Sequence, residues 1–549
     1  MSMKPEEIEP IPEETVQLAR VVCPVENLCL LLSDELGEVF QDVLFAPLFP
    51  RRGQPAESPW RLAMVTVLQF AEGLSDRQAS NAVRTRIDWK YALHLHLNDV
   101  GFHFSVLSEF RIRLVTAGAE RDLFEAFLRH ATTRGWLKMR GRQRTDSTHV
   151  LAAVESLSRL ECVGETLRHA LNILATVAPE WLAERVPTHW YERYATRWED
   201  YRLPSGREER EELAAMIGGD GRILLTLIDA PSSPTWLREI PAVLILRRVW
   251  IQQFYAHEQD ARWRKATDFP PASLLICTPY DPDARFGKKR ATIWTGYKVH
   301  VTESCDDDAP HLVTDVHTTP ATTSDFEMIP PIQAALAQQQ ILPSEHFVDA
   351  GYVTTNHLIT SQAQYAVKLI GPVAPDTSWQ AQAGARFEIA NFTVDWHTQR
   401  AICPQGCHSW VWMERIDRHQ QAVAHIKFAM QDCLACPVRT YCTHSAREPR
   451  NLMIRQDRAN QVLQEARQRQ KTQEFKDVYA TRAGVEGTIS QVVRAFGARR
   501  CRYVGEAKAH FQQLMTAVAV NSVRLTAWIA EQPRGQTRHS RFAALSLAS

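Results

Sequence analysis

The chain has 549 residues, of which 45% are apolar and 23% charged, with 63 basic and 63 acidic side chains. That length exceeds what one hydrophobic core sustains, so several domains are expected, and the composition is that of a soluble globular protein. No run approaches eighteen apolar residues, the acidic N-terminus lacks the apolar stretch of a secretory signal, and Ala242–Leu246 is stopped by Arg247 and Arg248. No membrane span is expected, and a cytoplasmic location is.

The zero net charge hides an asymmetry. Residues 1–50 hold ten acids against Lys4 and Arg20, a net of −8, so the remainder is +8. Residues 494–541 carry nine basic side chains against Glu506 and Glu531. A polyanion partner for the C-terminal region fits this distribution, and so does a solvated helix face.

Residues 1–56 read as an N-terminal arm with a short helix or two. From Ser58 the pattern is helical, with Ser58 as N-cap, Pro59 at the first helical position and Gly73 at the end. Ser75 caps a second helix, which would present Arg77, Gln78, Asn81, Arg84 and Arg86. Two short helices joined by a glycine turn make a helix-turn-helix, and these side chains reach phosphates or base edges. A small helical bundle without DNA contact has the same local pattern. Further helices are expected over 104–115 and 121–133.

Arg140 to Val154 places basic residues before a β-branched stretch, a strand with Asp146 on it. Asp is depleted in strands, so its presence has a reason. Residues 155–275 are patterned as helix, with stretches at 160–174, 207–216 and 236–255. Strand patterning returns over 295–302 and 311–317, around an acidic turn at Asp306, Asp307 and Asp308. A helix is expected over 326–340, capped by Ser324 or Asp325. His346 to Tyr352 is a short apolar strand running into Asp349 and a glycine turn, and a helix capped by Thr354 or Thr355 follows. Strands, helix, then a strand with an acid at its C-terminal end is an α/β order, and ligand sites collect at that end. An Asp in that place can also simply cap the next helix.

Five of the eleven cysteines lie within forty residues: Cys403, Cys407, Cys433, Cys436 and Cys442. Stretches 409–413 and 424–428 between them read as two strands around a polar turn. Two cysteine knuckles bridged by a β-hairpin suit a tetrahedral structural Zn²⁺ site. Cys433 and Cys436 form the first pair and Cys403 and Cys442 the second, with Cys407 able to replace either of the latter and His408 and His444 nearby as alternates. Reduced, buried cysteines without metal are the other reading.

The stretch Tyr479-Ala-Thr-Arg482-Ala-Gly-Val-Glu486 puts a phenol, a guanidinium and a carboxylate on one face of an expected helix. An ordinary Arg482–Glu486 ion pair would use the same spacing. Gly484 and Gly487 flank the Glu, each costing about 1 kcal/mol in a helix interior, which an ion pair alone does not require.

With these motifs in order, the chain resembles the DDE transposases of bacterial insertion sequences, in the group with a Tyr-x2-Arg-x3-Glu signature. Tyr479, Arg482 and Glu486 match that signature. Thr145-Asp146-Ser147 looks like the first acidic motif, and Val348-Asp349-Ala350-Gly351-Tyr352 like the second. Further matching stretches are Pro279 to Arg285, Gly296 to His300 and Cys433-x2-Cys436-Pro437. The family pattern also has a Lys seven residues after the Glu. Val493 stands there, with Arg494 beside it.

The resemblance implies an α/β fold: a ribonuclease-H-like catalytic core with a helical N-terminal domain, a helical insertion and a cysteine-rich β-hairpin insertion. The expected domains are an arm over 1–56, a helical DNA-binding domain over 57–137, the catalytic domain over 138–530, and a disordered basic tail over 531–549. Within the catalytic domain, 155–275 is the helical insertion and 375–450 the β/zinc-ribbon-like one. Asp146, Asp349 and Glu486 would be catalytic and hold two Mg²⁺, with Mn²⁺ as the alternative ion. Tyr479, Arg482 and Arg494, with Arg77 and Arg84 in the N-terminal domain, would contact DNA. Asp315 and Asp325 are competing acids, read as a strand residue facing solvent and a helix cap. The implied partners are double-stranded DNA, as terminal inverted repeats and as target, and a second copy of the chain. The implied activity is cleavage at the element's ends and joining of the 3′-hydroxyl ends to target DNA. An inactive DNA-binding descendant and a nuclease that does not join are the alternatives.

Overall fold

The computed structural model describes residues 2–37, 39–255, 261–417 and 422–533. The basic tail expected over 531–549 lies outside them from residue 534 onward. The chain divides into two compact units, one of residues 1–138, 146–324 and 486–549, the other of residues 139–145 and 325–485. The boundaries fall between Thr145 and Asp146, and between Val485 and Glu486.

In the first unit, helix α1 (Pro59–Glu72) is buried over most of its circumference and ends at Gly73, whose φ of 69° is the left-handed C-cap conformation. Ser58 precedes it as expected but makes no capping bond. Its hydroxyl donates to Asp42, and Asp42 Oδ1 accepts the Trp60 N–H at 3.0 Å. A stronger, charged acceptor from the arm has taken the cap's place. Helix α2 (Asp76–Thr85) starts at Ser75 with a full capping box to Gln78. Helices over Ser105–Thr116 and Asp122–Thr133 follow.

Strand β1 (Arg142–Leu151) contributes its residues from Asp146 on to this unit. Its neighbour is β3 (Thr292–Ser304), which pairs antiparallel with β2 (Arg285–Lys289) and with β4 (Val313–Pro320). Residues 155–275 are mostly helical, as the patterning predicts, and form a core of their own around Leu167, Leu224 and Leu246. The helix expected over 236–255 is broken there. Pro241 starts a separate helix, Pro241–Gln253, after a tight turn at Thr235–Glu239, because proline has no N–H to continue the earlier ladder.

In the second unit, residues 142–145 of β1 pair in parallel with β5 (Glu345–Val348), which pairs in parallel with β6 (Lys368–Ile370). Helices Ile329–Gln338 and Thr355–Tyr365 provide the crossovers, the α/β order read from the sequence. The helix expected over 326–340 starts late, since Pro330 and Pro331 fix its first turn and Asp325–Met328 is a separate 3₁₀ turn. Asp325 therefore does not cap it. Farther along, β7 (Ser409–Ile416), β8 (Ala422–Phe428) and β9 (Asn451–Arg455) form an antiparallel sheet over Phe392, Ile426, Phe428, Leu452 and Ile454.

Helix α3 (Gln473–Tyr479) also belongs to the second unit, and α4 (Gly484–Arg494) starts there and continues into the first. The last helix, α5 (Glu506–Ile529), is the spine of the first unit and is buried along most of its length. Its Asn521 clamps β4, accepting the Val313 N–H at 2.7 Å and donating to the Val313 carbonyl at 2.8 Å.

Candidate functional site

The parallel ladder between β1 and β5 runs from Arg142↔Glu345 to Thr145↔Val348. Val348 and Thr145 are fully buried, and Thr145 Oγ1 lies 2.6 Å from His346 Nε2. Each strand's next residue is one of the expected acids, Asp146 after Thr145 and Asp349 after Val348. In the first unit, Asp146 is 8% exposed and its Oδ1 accepts the Ser147 N–H at 2.7 Å. Asp349, in the second, is half-buried, and its Oδ1 accepts the Gly351 N–H at 2.6 Å. It does not cap the following helix. Thr354 does, accepting from His357 N at 3.1 Å.

A second carboxylate stands beside Asp349. A Cβ on Gly351 would lie 2.9 Å from Asp349 Oδ1 and 3.4 Å from Asp325 Oδ2. Sequence reading assigned Asp325 to a helix cap, and only the 3₁₀ turn brings it here. Asp315 is also corrected. It is fully buried rather than facing solvent, and Arg121 Nη2 donates to it at 2.8 Å while His317 Nε2 lies 3.0 Å away. Burial is the largest effect and would raise its pKa, but His317 and Arg121 together hold the carboxyl below the usual range.

The signature stretch is not one regular helix. Tyr479 ends α3, Ala480–Ala483 is a 3₁₀ turn, and Glu486 lies in the first turn of α4. Arg144, 6% exposed on β1, reaches this turn, and its Nη1 donates to the Thr481 carbonyl at 2.7 Å. Its guanidinium fills the space where a Cβ of residue 484 would be, so Gly484 is required by this packing. Gly487 meets nothing within 4 Å. Tyr479 stacks on Phe475, with centroids 5.5 Å apart, Arg482 is half-buried, and Glu486 and Arg494 are exposed.

In the first unit α4 is held by a buried ion pair. Arg524 Nη1 donates to Glu303 Oε2 at 2.7 Å, Glu303 is 0% exposed, and Thr488 Oγ1 donates to the same oxygen. Removing one partner of such a pair costs about 3–5 kcal/mol. Sequence reading missed this pair and also Arg499, whose Nη2 donates to Thr148 Oγ1 at 3.0 Å, two residues past Asp146. Nothing in the local sequence distinguishes Arg499 from Arg500.

On α2, Arg77 and Arg84 are exposed with Gln78 and Asn81, although Arg77 lies over the Phe104 ring at 4.7 Å and Arg84 Nε donates to the Val100 carbonyl at 3.0 Å. Arg86 leaves that expected group. It pairs with Glu72 and Asp88, which raise its pKa.

The five clustered cysteines are half-buried at one end of the β7–β8–β9 sheet, with Cys403, Cys433 and Cys442 packed on its core. Cys403 and Cys407 form a tight knuckle: Cys403 N–H donates to the Cys407 carbonyl at 2.9 Å, and Cys407 N–H donates to Cys403 Sγ at 3.4 Å. Burial pushes the Cys442 thiol up to about 11, and Cys433, Cys403 and Cys436 push in the same direction against Arg450. Cys403 and Cys436 likewise raise the pKa of Cys407, after the larger effect of its burial, so each of the five thiols feels the charge of others in the cluster. As placed, no group of three or more His, Cys, Asp or Glu among the described residues could hold a metal ion. His444 stacks on Trp379 at 3.7 Å.

Two known families match the chain. The model of a transposase DDE domain matches residues 402–526, and that of a transposase domain (DUF772) matches residues 26–113. Each of these two stretches is thus similar to a domain of transposases, and together they cover less than half of the chain. The first match contains Tyr479, Arg482, Glu486, Arg494 and all five clustered cysteines, and the second contains Arg77 and Arg84. Asp146 and Asp349 lie outside both. No curated protein and no solved structure matches the chain. Among the described residues no helix is long and apolar enough to cross a membrane.

Proposed function

We propose that the chain is a DNA transposase that binds the terminal inverted repeats of an insertion sequence, cleaves at its ends and joins the 3′-hydroxyl ends to target DNA. The observation that carries the reading is the parallel rung Thr145↔Val348, after which both strands continue directly into an acid. The two transposase-domain matches support it from either side in sequence. In this reading the core is ribonuclease-H-like, residues 57–137 bind DNA, and 375–450 is a zinc-ribbon-like insertion.

Asp146, Asp349 and Glu486 are the catalytic acids. Their carboxylate oxygens are hard donors of the kind Mg²⁺ selects, and Mn²⁺ is an alternative. A pair of such ions, when bound, supplies an activated water and charge neutralisation at the leaving oxygen. What supports this reading is local: Asp146 follows Thr145 on β1, Asp349 follows Val348 at the end of β5, and Glu486 lies in the first turn of α4. Tyr479, Arg482, Arg494, Arg77 and Arg84 contact DNA. Thiolates suit structural Zn²⁺, and Cys403, Cys433, Cys436 and Cys442 are the proposed ligands. The active species on DNA is a homodimer.

The test uses purified protein, DNA carrying the repeats that flank its reading frame, Mg²⁺ and a plasmid target. Cleavage with joining supports the proposal. Cleavage without joining assigns a nuclease instead, and binding alone an inactive descendant.

A further inference from the structure

The β7–β8–β9 sheet has two unlike faces. Cross-strand partners share a face, so the register separates the residues without ambiguity. One face carries Trp412, Ala424, Ile426, Leu452 and Ile454 into the core of the insertion. The other carries Arg415, Lys427 and Arg455, with His425 between them and Met413 and Met453 alongside. Of the nine positions that the register puts on this second face, three are Arg or Lys, one is His and none is acidic.

The cations lie close together. Lys427 and Arg415 both depress the pKa of His425, after the larger effect of its burial. Arg415 Nη2 lies 3.7 Å from Met413 Sδ, so its stem runs along the sheet surface. Among the described residues no carboxylate is paired with Arg415, Lys427 or Arg455. Met453 is 58% exposed, and Trp410, at the bulge that opens β7, is 80% exposed. Like charges held side by side without a counter-charge cost the free protein stability, and a polyanion removes that cost.

The spacing favours a duplex. Arg415 and Arg455 flank Val423 on one rung, and Lys427 is four residues along β8. At roughly 3.3 Å per residue that is about 13 Å. It is comparable to the ~12 Å major groove of B-DNA, whose two phosphate walls such an array can meet. We propose that this face of the cysteine-bearing insertion is a docking surface for the phosphate backbone of duplex DNA, in addition to the contacts proposed for α2 and the three acids.

The inference rests on the DNA-transposase reading, and its test keeps the two apart. Binding of a fluorescent duplex of mixed sequence to the full chain is titrated over a range of KCl concentrations, for the native protein and for R415Q/K427Q/R455Q. Three lost phosphate contacts lower the slope of log affinity against log salt by about 2.7. The charge-keeping variant R415K/K427R/R455K retains the native slope. An unchanged slope and affinity in the Gln variant overturns the inference while leaving the transposase reading intact. Failure of the native chain to bind any duplex overturns both. A change in self-association by light scattering without a change in the DNA slope also overturns it, and makes the face a contact between copies.

Discussion

Arg144 donates to the Thr481 carbonyl across 2.7 Å, within the 3₁₀ turn that leads to Glu486. Mid-helix 3₁₀ stretches mark strain or a functional position. Gly484→Ala places a methyl group where the Arg144 guanidinium sits, and Arg144 is buried with little room to move. The expected cost is that of a charged hydrogen bond, about 1.5–3 kcal/mol, read by thermal unfolding. Strand cleavage should fall while duplex binding persists. Gly487→Ala, with open space around it, should leave stability unchanged or slightly raised.

Gly351→Ala is the corresponding test at the other acid. The new Cβ would stand 2.9 Å from Asp349 Oδ1, so that this carboxylate must shift, and 3.4 Å from Asp325 Oδ2 on the other side. A displacement of a catalytic group by about 1 Å costs on the order of 100-fold in rate. Single-turnover cleavage should drop by that order with little change in melting temperature, because residue 351 is exposed.

Metal analysis of the purified chain addresses the cysteines. Cys433→Ser or Cys436→Ser should lose Zn²⁺ and lower the melting temperature, since structural zinc contributes folding energy outright. Cys407→Ser should retain the metal, because the backbone N–H that bonds Cys403 Sγ is unchanged by the substitution.

The stability should also depend on pH through His510. Burial, then Arg121 and His317, push it down to about 4, against the smaller opposing effect of Asp315. The unfolded chain binds this proton near pH 6.5 and the folded chain only near pH 4. Stability is therefore complete above about pH 6.5 and falls as the pH drops toward 4. His510→Gln, which keeps a polar group facing Thr318, should flatten the unfolding midpoint across that window.

Where a feature depends on neighbours in sequence, it was legible. The Ser75–Gln78 capping box, the Gly73 terminus, the strand around Asp146 and the α/β order at Asp349 all follow from local pattern. The misread features depend on distant partners. Asp315 is buried because Arg121, 194 residues away, neutralises it. The 3₁₀ turn before Glu486 is bonded at Thr481 by an arginine 337 residues earlier. Ser58 loses its cap to Asp42, and Asp325 reaches Asp349 only because two prolines delay the helix after it. No periodicity records such contacts.

Asp146, Asp349 and Glu486 are proposed to act together on DNA. Purified Asp349→Ala protein, incubated with labelled terminal-repeat DNA and Mg²⁺, tests it most directly. The variant is expected to bind the DNA as the native chain does and to produce no cleaved strand. Cleavage by that variant at the native rate would contradict it.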